Sequence, residues 1–208
     1  MTDGLGLSFR FLHLVHRNFL VWRKLLASSL IANLADPFIY LVGLGFGLGA
    51  FMPPIEGYPY VTFLAAGMVC YSTMNSASFE ALYSAFARLQ IQRTWEGILH
   101  APMTIGDVVV GEWVWAALKS TLSGAAIVLV MYVLGVVHGL RPLAVLPAVF
   151  VFGLAFAGMA LVMTAIAKSY DFFSYYFTLL VTPMMLVSGV FFPKTALPAA
   201  VRHVADVL

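Results

Sequence analysis

Four ionisable side chains lie in stretches of sequence that are otherwise apolar: Asp36, Glu80, Glu112 and Lys119. Such residues could relay ions, line a translocation path, or each pair with a neighbouring helix. Glu112 and Lys119 would share one helix face, but their separation of seven residues corresponds to about 10 Å, which is too far for direct contact. The sequence therefore favours pairing between helices over substrate contact. Asp36 precedes Pro37, so its carboxylate is expected to bond backbone groups that the proline frees.

A second set of residues that could contact a substrate is aromatic. Six of them surround the start of the last long apolar stretch: Tyr170, Phe172, Phe173, Tyr175, Tyr176 and Phe177. An aromatic belt at the membrane surface explains most of them. Tyr175 and Tyr176 are kept as candidates for a translocation path or for pairing with another helix, and the first option remains because aromatic faces also stack against sugar rings.

The sequence contains none of the common catalytic motifs. Its most glycine-rich stretch, GLGFGLGA, lacks the lysine of a phosphate-binding loop and lies in an apolar segment. There is no nucleophile elbow and no cluster of carboxylates and histidines at metal-ligand spacing. Cys70 is the single cysteine, which excludes an internal disulfide. We therefore expect no enzymatic activity and no cofactor or metal bound by this chain, and a membrane-embedded transferase is disfavoured.

Composition places these residues in a membrane protein. Hydrophobic residues make up 62% of the chain and charged residues 10%, too few to cover the surface of a soluble domain. The mean hydropathy is +0.96. No run of alternating residues indicates a β-barrel. The formal net charge of +2 is too small to suggest nucleic-acid binding. The expected fold class is all-α, a polytopic helical membrane domain.

Apolar runs of roughly 20 residues are long enough to cross a bilayer. The sequence predicts one domain over residues 1–208 with five such spans: 25–51, 61–86, 108–136, 143–167 and 172–190. Residues 5–22 are predicted to form a helix lying in the membrane interface, since Arg10, Arg17 and Lys24 recur every seven residues. The alternative is that this helix extends the first span inward.

The distribution of basic residues predicts the orientation. One side of the membrane would receive Arg10, Arg17, Arg23, Lys24, Arg88, Arg93 and Lys168. The other side would receive only Arg141, Lys194 and Arg202. By the positive-inside rule the amino terminus is cytoplasmic, and residues 94–101 face the cytoplasm with it.

Small residues predict close contacts between helices. Gly43, Gly45, Gly47 and Gly49 form overlapping G-x-x-x-G pairs. Such pairs allow a neighbouring backbone to come close, either within the chain or in a homodimer. Small polar residues crowd the second span, where interhelical hydrogen bonding is favoured over a pathway lining: Ser72, Thr73, Asn75, Ser76 and Ser78.

The polar segment QRTWEGILHAP predicts a short amphipathic helix over residues 94–101. Thr94 is expected to cap it and Pro102 to end it. Its candidate contact residues are Thr94, Trp95, Glu96, Ile98, Leu99 and Pro102. Trp95, Ile98 and Leu99 would form an apolar face suited to a groove on another protein. The alternative is an ordinary loop in which Trp95 anchors the membrane interface.

Several stretches resemble the permease subunits of ABC-2 type exporters, and most closely the nodulation protein J family of lipo-oligosaccharide permeases. The resemblance is carried, in order, by NLADPFIYL (33–41), FLAAGMV (63–69), QRTWEGIL (92–99), GDVVVGEWVWAALK (106–119), SYDFF (169–173) and TPMMLVSGVFFPKTALP (182–198). It covers nearly the whole chain. Permeases of this family usually continue into a sixth span, which we expect this sequence to lack because it ends at Leu208.

The resemblance implies a role for each segment. Residues 94–101 would be the coupling helix that contacts a separate ATPase subunit, which would use ATP and Mg²⁺. Residues 191–207, with Pro193, Leu197 and Pro198, would form an outward re-entrant segment. Two copies would export an amphiphilic substrate, a lipo-oligosaccharide, across the bacterial inner membrane. The alternatives are multidrug efflux by a similar permease and an ion-coupled carrier using Asp36, Glu80 and Glu112.

Overall fold

The computed structural model describes residues 9–55, 57–193, 198 and 201. Within helices, the side chains of Leu30, Ala32, Asn33 and Asp36 are outside what it describes. The described residues are mostly helical and contain no β-strand. The expected all-α class is therefore confirmed.

The first helix, α1, spans Phe11–Arg23 and packs along a later helix of the chain. Leu14 and Asn18 are buried, whereas Phe9, Leu12 and Phe19 are exposed, so the helix has one face toward the protein. A Cβ added to Gly111 would lie 2.6 Å from Leu14 Cδ2. Only a glycine at position 111 lets α1 come this close. Residues 5–8 of the predicted interfacial helix lie outside the described part of the chain.

The second helix, α2, spans Leu26–Tyr40 and continues through a π-helical segment, Leu41–Gly47, and a 3₁₀ turn, Leu48–Ala50. This agrees closely with the predicted segment 25–51. The glycines differ in their surroundings. A Cβ on Gly45 would lie 2.9 Å from Val61 Cγ2, while Gly43 and Gly47 have nothing within 4 Å. The row of Gly45 and Gly49 therefore packs within the chain, and the row of Gly43 and Gly47 faces open space.

The third helix, α3, spans Tyr60–Phe79 and continues through π-helical segments at Glu80–Ser84 and Ala87–Ile91. It runs five residues beyond the predicted 61–86. A six-residue helix, α4, follows at Thr94–Leu99. Helix α5, Ile105–Val133, starts with a capping box between Thr104 and Asp107.

The remaining helices complete the bundle. A 3₁₀ turn at Arg141–Val145 precedes α6, Leu146–Ile166. Helix α7, Asp171–Tyr176, passes through a π-helical segment, Phe177–Val181, into α8, Thr182–Val187. Among the described residues, Ile105–Val133 and Arg141–Ile166 are long and apolar enough to cross a membrane, and Pro37–Ala50 and Asp171–Val187 are shorter apolar helices. The positions of the five membrane spans stay a prediction.

Helices α3, α5 and α6 pack against one another and divide the core into two clusters. One cluster, at the end of α3 that carries Arg88, includes Leu82, Phe86, Phe156 and Phe173. We call this the Arg88 end of the bundle. The other, at the Tyr60 end, includes Leu64, Met68, Ile127 and Val149. Helices α1 and α4 lie at the Arg88 end.

Candidate functional site

Helix α4 is attached to the rest of the protein by Trp95. Its indole is only 7% exposed and belongs to a small cluster with Leu14 of α1 and Val108 of α5. Leu89, Ile98 and Met103 pack around the cluster. Apolar contacts therefore link α4 to α1, α3 and α5, so that a displacement of α4 acts on all three.

The structure corrects two expectations about α4. Trp95 and Ile98 face their own protein while Leu99 is 40% exposed, so the three side chains do not form an outward apolar face. Nor does Thr94 cap the helix. The residue before the first turn is Arg93, in the left-handed region at φ 48°, and Thr94 is already helical. A six-residue helix has little periodicity, which is why spacing alone assigned its faces wrongly.

The other side of α4 faces outward. Glu96, Leu99 and His100 are exposed, and Glu96 lies 3.9 Å from Arg93 in a pair whose side chains are 64% and 72% exposed. Pro102 follows the helix, and its carbonyl accepts a hydrogen bond from Arg10 Nη1. The exposed residues of α4, together with the loop at Pro102 that Arg10 holds, form the surface of this segment that another protein could contact.

Beneath α4, four charged residues form a buried group that we call the charge cluster: Glu80, Arg88, Glu112 and Lys119. Arg88 Nη2 lies 2.5 Å from Glu112 Oε2 and 3.0 Å from Glu80 Oε1. Lys119 Nζ donates to Glu80 Oε2 at 2.6 Å. As predicted, Glu112 and Lys119 do not contact each other, and each pairs with α3. The carboxylates are held by cations, which leaves them poorly suited to an ion relay.

Two neutral donors complete the charge cluster. Asn18 Nδ2 of α1 donates to Glu112 Oε2 at 3.2 Å, and Trp115 Nε1 of α5 donates to Glu80 Oε1 at 3.0 Å. These bonds satisfy carboxylate oxygens that would otherwise be costly to bury. The network consequently joins α1, α3 and α5 at the Arg88 end.

Sequence reasoning used Arg88 only to predict orientation and did not place it in the site. In a regular α-helix, a residue eight positions after Glu80 would lie about 80° round the helix axis from it. The π-helical turns at Glu80–Ser84 and Ala87–Ile91 hold more residues per turn and change that angle, and Arg88 pairs with Glu80 at 3.0 Å. Asn18 was missed as well. No local sequence pattern predicts the contact of Arg88 with Glu80 or that of Asn18 with Glu112.

A cavity of about 360 Å³ opens beside the charge cluster, between α1, α3 and α5. Its wall includes Arg17, whose Nη1 donates to Asn18 Oδ1 at 3.0 Å. Burial, with Arg88 nearby, lowers the pKa of Arg17 from its ordinary value, although a guanidinium remains charged near neutral pH. Trp22 and Trp115 line the same cavity and stack edge to face, with ring centroids 6.1 Å apart.

The two candidate tyrosines do not form one surface. Tyr175 is 63% exposed, whereas Tyr176 is 4% exposed and its hydroxyl lies 3.2 Å from Ser78 Oγ. Phe173 is fully buried in the same core. An aromatic belt therefore fits Tyr175, whereas Phe173 and Tyr176 belong to the protein core. Packing against α3 explains those two residues.

Some predicted residues lie partly or wholly outside the described structure. The side chain of Asp36 and all of Leu197 are among them. Of the predicted re-entrant segment 191–207, the structure describes residues 191–193, 198 and 201. Pro193 is half-buried and Pro198 is exposed. Tyr60 donates to the carbonyl of Phe191 at 3.0 Å, which fixes the start of that segment on α3. No group of three or more metal-ligating side chains occurs among the described residues.

Comparison with known proteins identifies the family. Residues 10–208 match the family described as ABC-2 type transporter. The chain belongs to this family. As an ABC-2 transporter chain it is a membrane protein and a transport permease.

Individual relatives of this ABC-2 permease are close. It is 48% identical to Nodulation protein J of Rhizobium meliloti (strain 1021) over 192 residues, covering 92% of this chain and 73% of the relative. It is 49% identical to Nodulation protein J of Rhizobium leguminosarum bv. viciae, covering 92% and 74%. A more distant relative, at 24% identity with 88% and 70% covered, is Inner membrane transport permease YadH of Escherichia coli (strain K12). No solved structure matches the chain.

Proposed function

We propose that this permease is the membrane subunit of an ATP-driven exporter in the bacterial inner membrane, with its amino terminus and α4 in the cytoplasm. Two copies would form the translocation path. A separate ATPase subunit would bind ATP and Mg²⁺, because this chain has no phosphate-binding loop of its own. The family implies such a partner.

The observation that carries the proposal is the two-sidedness of α4. Its inner side is fixed by Trp95 to α1, α3 and α5, while Glu96, Leu99 and His100 are exposed. A displacement of such a helix would be passed to α1, α3 and α5, because its buried side is closely packed against them. Closure of the ATPase subunits would shift α4, and the shift would reach α3 and α5 through the Trp95 cluster.

The proposed cargo is an amphiphile, and specifically a lipo-oligosaccharide. Support comes from the similarity to Nodulation protein J and from the family resemblance of the sequence. A hydrophobic drug is the alternative cargo. In liposomes holding the complete complex, cargo-dependent stimulation of ATP hydrolysis distinguishes the two: a lipo-oligosaccharide should stimulate and a hydrophobic drug should not.

Leu99→Asp tests the docking surface. Leu99 is exposed, so the change should leave the fold intact, while a buried charge in an interface with the ATPase should weaken binding by about tenfold or more. The measurement is the Mg²⁺-dependent ATPase activity that co-purifies with the tagged chain from native membranes.

Lys168→Glu is the matched control, since Lys168 is exposed in the α6–α7 connection at the same end of the bundle. It should retain the co-purified activity. Full retention of ATPase by Leu99→Asp, with cargo still transported, would show that α4 is not the docking surface. Trp95→Ala is a poor probe of docking, because loss of a buried indole lowers stability as well.

A further inference from the structure

The cavity beside the charge cluster holds more positive than negative charge. Its wall includes three cations, Arg17, Arg88 and Lys119, and one carboxylate, Glu80. The second carboxylate of the cluster, Glu112, does not line the cavity and pairs with Arg88. Arg88 and Lys119 are each paired with carboxylates. Among the described residues, the hydrogen-bond partner of Arg17 is the neutral Asn18 side chain, at 3.0 Å. Within the described part of the chain, no carboxylate lies within salt-bridge distance of Arg17, although Glu112 is near enough to act on its charge, so the five charged groups together carry one excess positive charge.

The chemistry of the wall suits an oxygen anion. A guanidinium presents several N–H groups in a planar fork that matches phosphate oxygens, and Arg17 uses one of its terminal nitrogens on Asn18. Lys119 gives one of its three N–H groups to Glu80 and keeps donors available at the cavity. The volume of about 360 Å³ is ample for a phosphate group.

The surroundings indicate where such an anion comes from. Trp115, which lines the charged cavity, also lines an apolar groove of about 450 Å³ with Leu12, Phe19 and Leu122. A charged cavity and an apolar groove thus lie on either side of one indole. Trp22, half-buried in the wall of the charged cavity, is a residue type typical of the depth where lipid headgroups meet hydrocarbon. A ligand with both a phosphate and an acyl chain satisfies both spaces.

We propose that this cavity binds the phosphate headgroup of an anionic membrane lipid, with Arg17 as its main charged contact. The proposal rests on the interfacial position of α1 and is independent of docking by α4. Binding would place a lipid between α1 and the ends of α3 and α5, next to the charge cluster. The lipid phosphate would balance the positive charge that Arg17 adds to the neutral charge cluster.

Lipid retention by the purified chain tests the proposal. The chain is extracted from nanodiscs containing equal amounts of phosphatidylglycerol and phosphatidylcholine, and bound lipid is identified by native mass spectrometry. The wild type should retain phosphatidylglycerol preferentially. Arg17→Gln, which keeps a donor for Asn18, should lower that preference about tenfold, as expected for one charged hydrogen bond. Arg17→Lys should fall between them.

Arg23→Gln provides the control, because Arg23 is an exposed cation on the same helix and does not line the cavity. An unchanged preference in Arg17→Gln, or an equal loss in Arg23→Gln, overturns the proposal. A second arm titrates the chain in phosphatidylcholine nanodiscs with inorganic phosphate while tryptophan fluorescence is recorded. Saturable, Arg17-dependent binding of phosphate alone would assign the cavity to a soluble anion and overturn the lipid assignment.

Discussion

Helices α3 and α5 are held together in different ways at the two ends of the bundle. At the Arg88 end, two ion pairs cross between the helices: Arg88 pairs with Glu112 of α5, and Lys119 of α5 pairs with Glu80. At the Tyr60 end the contact is made by apolar side chains such as Leu64 and Ile127, and by close approach at glycines. Between the two ends, Ser123 donates to Ser76 at 3.1 Å.

This difference follows from what each end must avoid. Lipid surrounds a span deep in a bilayer, where apolar packing and small residues bring helices together without exposing polar groups. Buried charges are tolerated only where several oppositely charged or hydrogen-bonding partners satisfy them. The Arg88 end supplies those partners from α1, α3 and α5.

Arg88→Met should have the largest effect, because it leaves Glu80 and Glu112 buried with fewer cations. Breaking such a pair from one side costs about 3–5 kcal/mol. The free energy of unfolding, measured by titration with denaturing detergent, should fall by this amount. Arg93→Met removes only an exposed pair and should cost about 0–1 kcal/mol.

A second variant sharpens the result for Arg88. Adding Glu112→Gln to Arg88→Met removes the charge that the first change strands, so part of the lost free energy of unfolding should return. If the double variant is no more stable than Arg88→Met, the charge cluster does not hold this end of the bundle together.

Gly67→Ala tests the Tyr60 end, with an intermediate effect. A Cβ at position 67 would lie 2.7 Å from the carbonyl oxygen of Val190 and 2.9 Å from its Cα. Backbone must move to relieve this contact, so we expect a loss of about 1–3 kcal/mol. Thermal unfolding followed by circular dichroism measures it. Gly43→Ala, which has open space around it, should be unchanged; equal losses in both would show that packing is not the cause.

Ser123→Ala should have the smallest effect, because it removes one hydrogen bond to Ser76 across the middle of the helix pair. Interhelical hydrogen bonds in membranes contribute about 0.6 kcal/mol on average. The same detergent titration applies, with Thr121→Ala as control, since Thr121 bonds the carbonyl of Ala117 on its own helix. A loss above that for Gly67→Ala would reverse the ranking of packing over hydrogen bonding.

Much of the fold follows from the sequence. The helical segments begin and end within a few residues of the predicted spans, except that α3 continues to Ile91. Long apolar runs and prolines mark these limits strongly, and the capping box at Thr104 is a local signal. The pairing of Glu80, Glu112 and Lys119 with other helices could also be predicted, because isolated charges in such surroundings are too costly.

The site itself was less predictable. Which side of α4 faces the protein could not be read from six residues, so Trp95 was assigned outward although it is buried. Tyr176 was left open between a translocation path and pairing with another helix, and it lies against Ser78 of α3. In both cases, whether the side chain is buried depends on which helix packs beside it, and the sequence of one helix does not specify its neighbours.

Apolar runs and isolated charges along the sequence predict a helical membrane protein, the limits of its helices and the pairing of its buried charges, while the permease role comes from the family. Which residues pair depends on the packing of the helices: Arg88 also reaches Glu112 of α5, and Asn18 reaches Glu112 because Gly111 lets α1 approach α5. Hydrophobicity and capping act within a few residues and are visible along the chain. Charge pairing and close packing depend on distances between segments that are far apart in sequence.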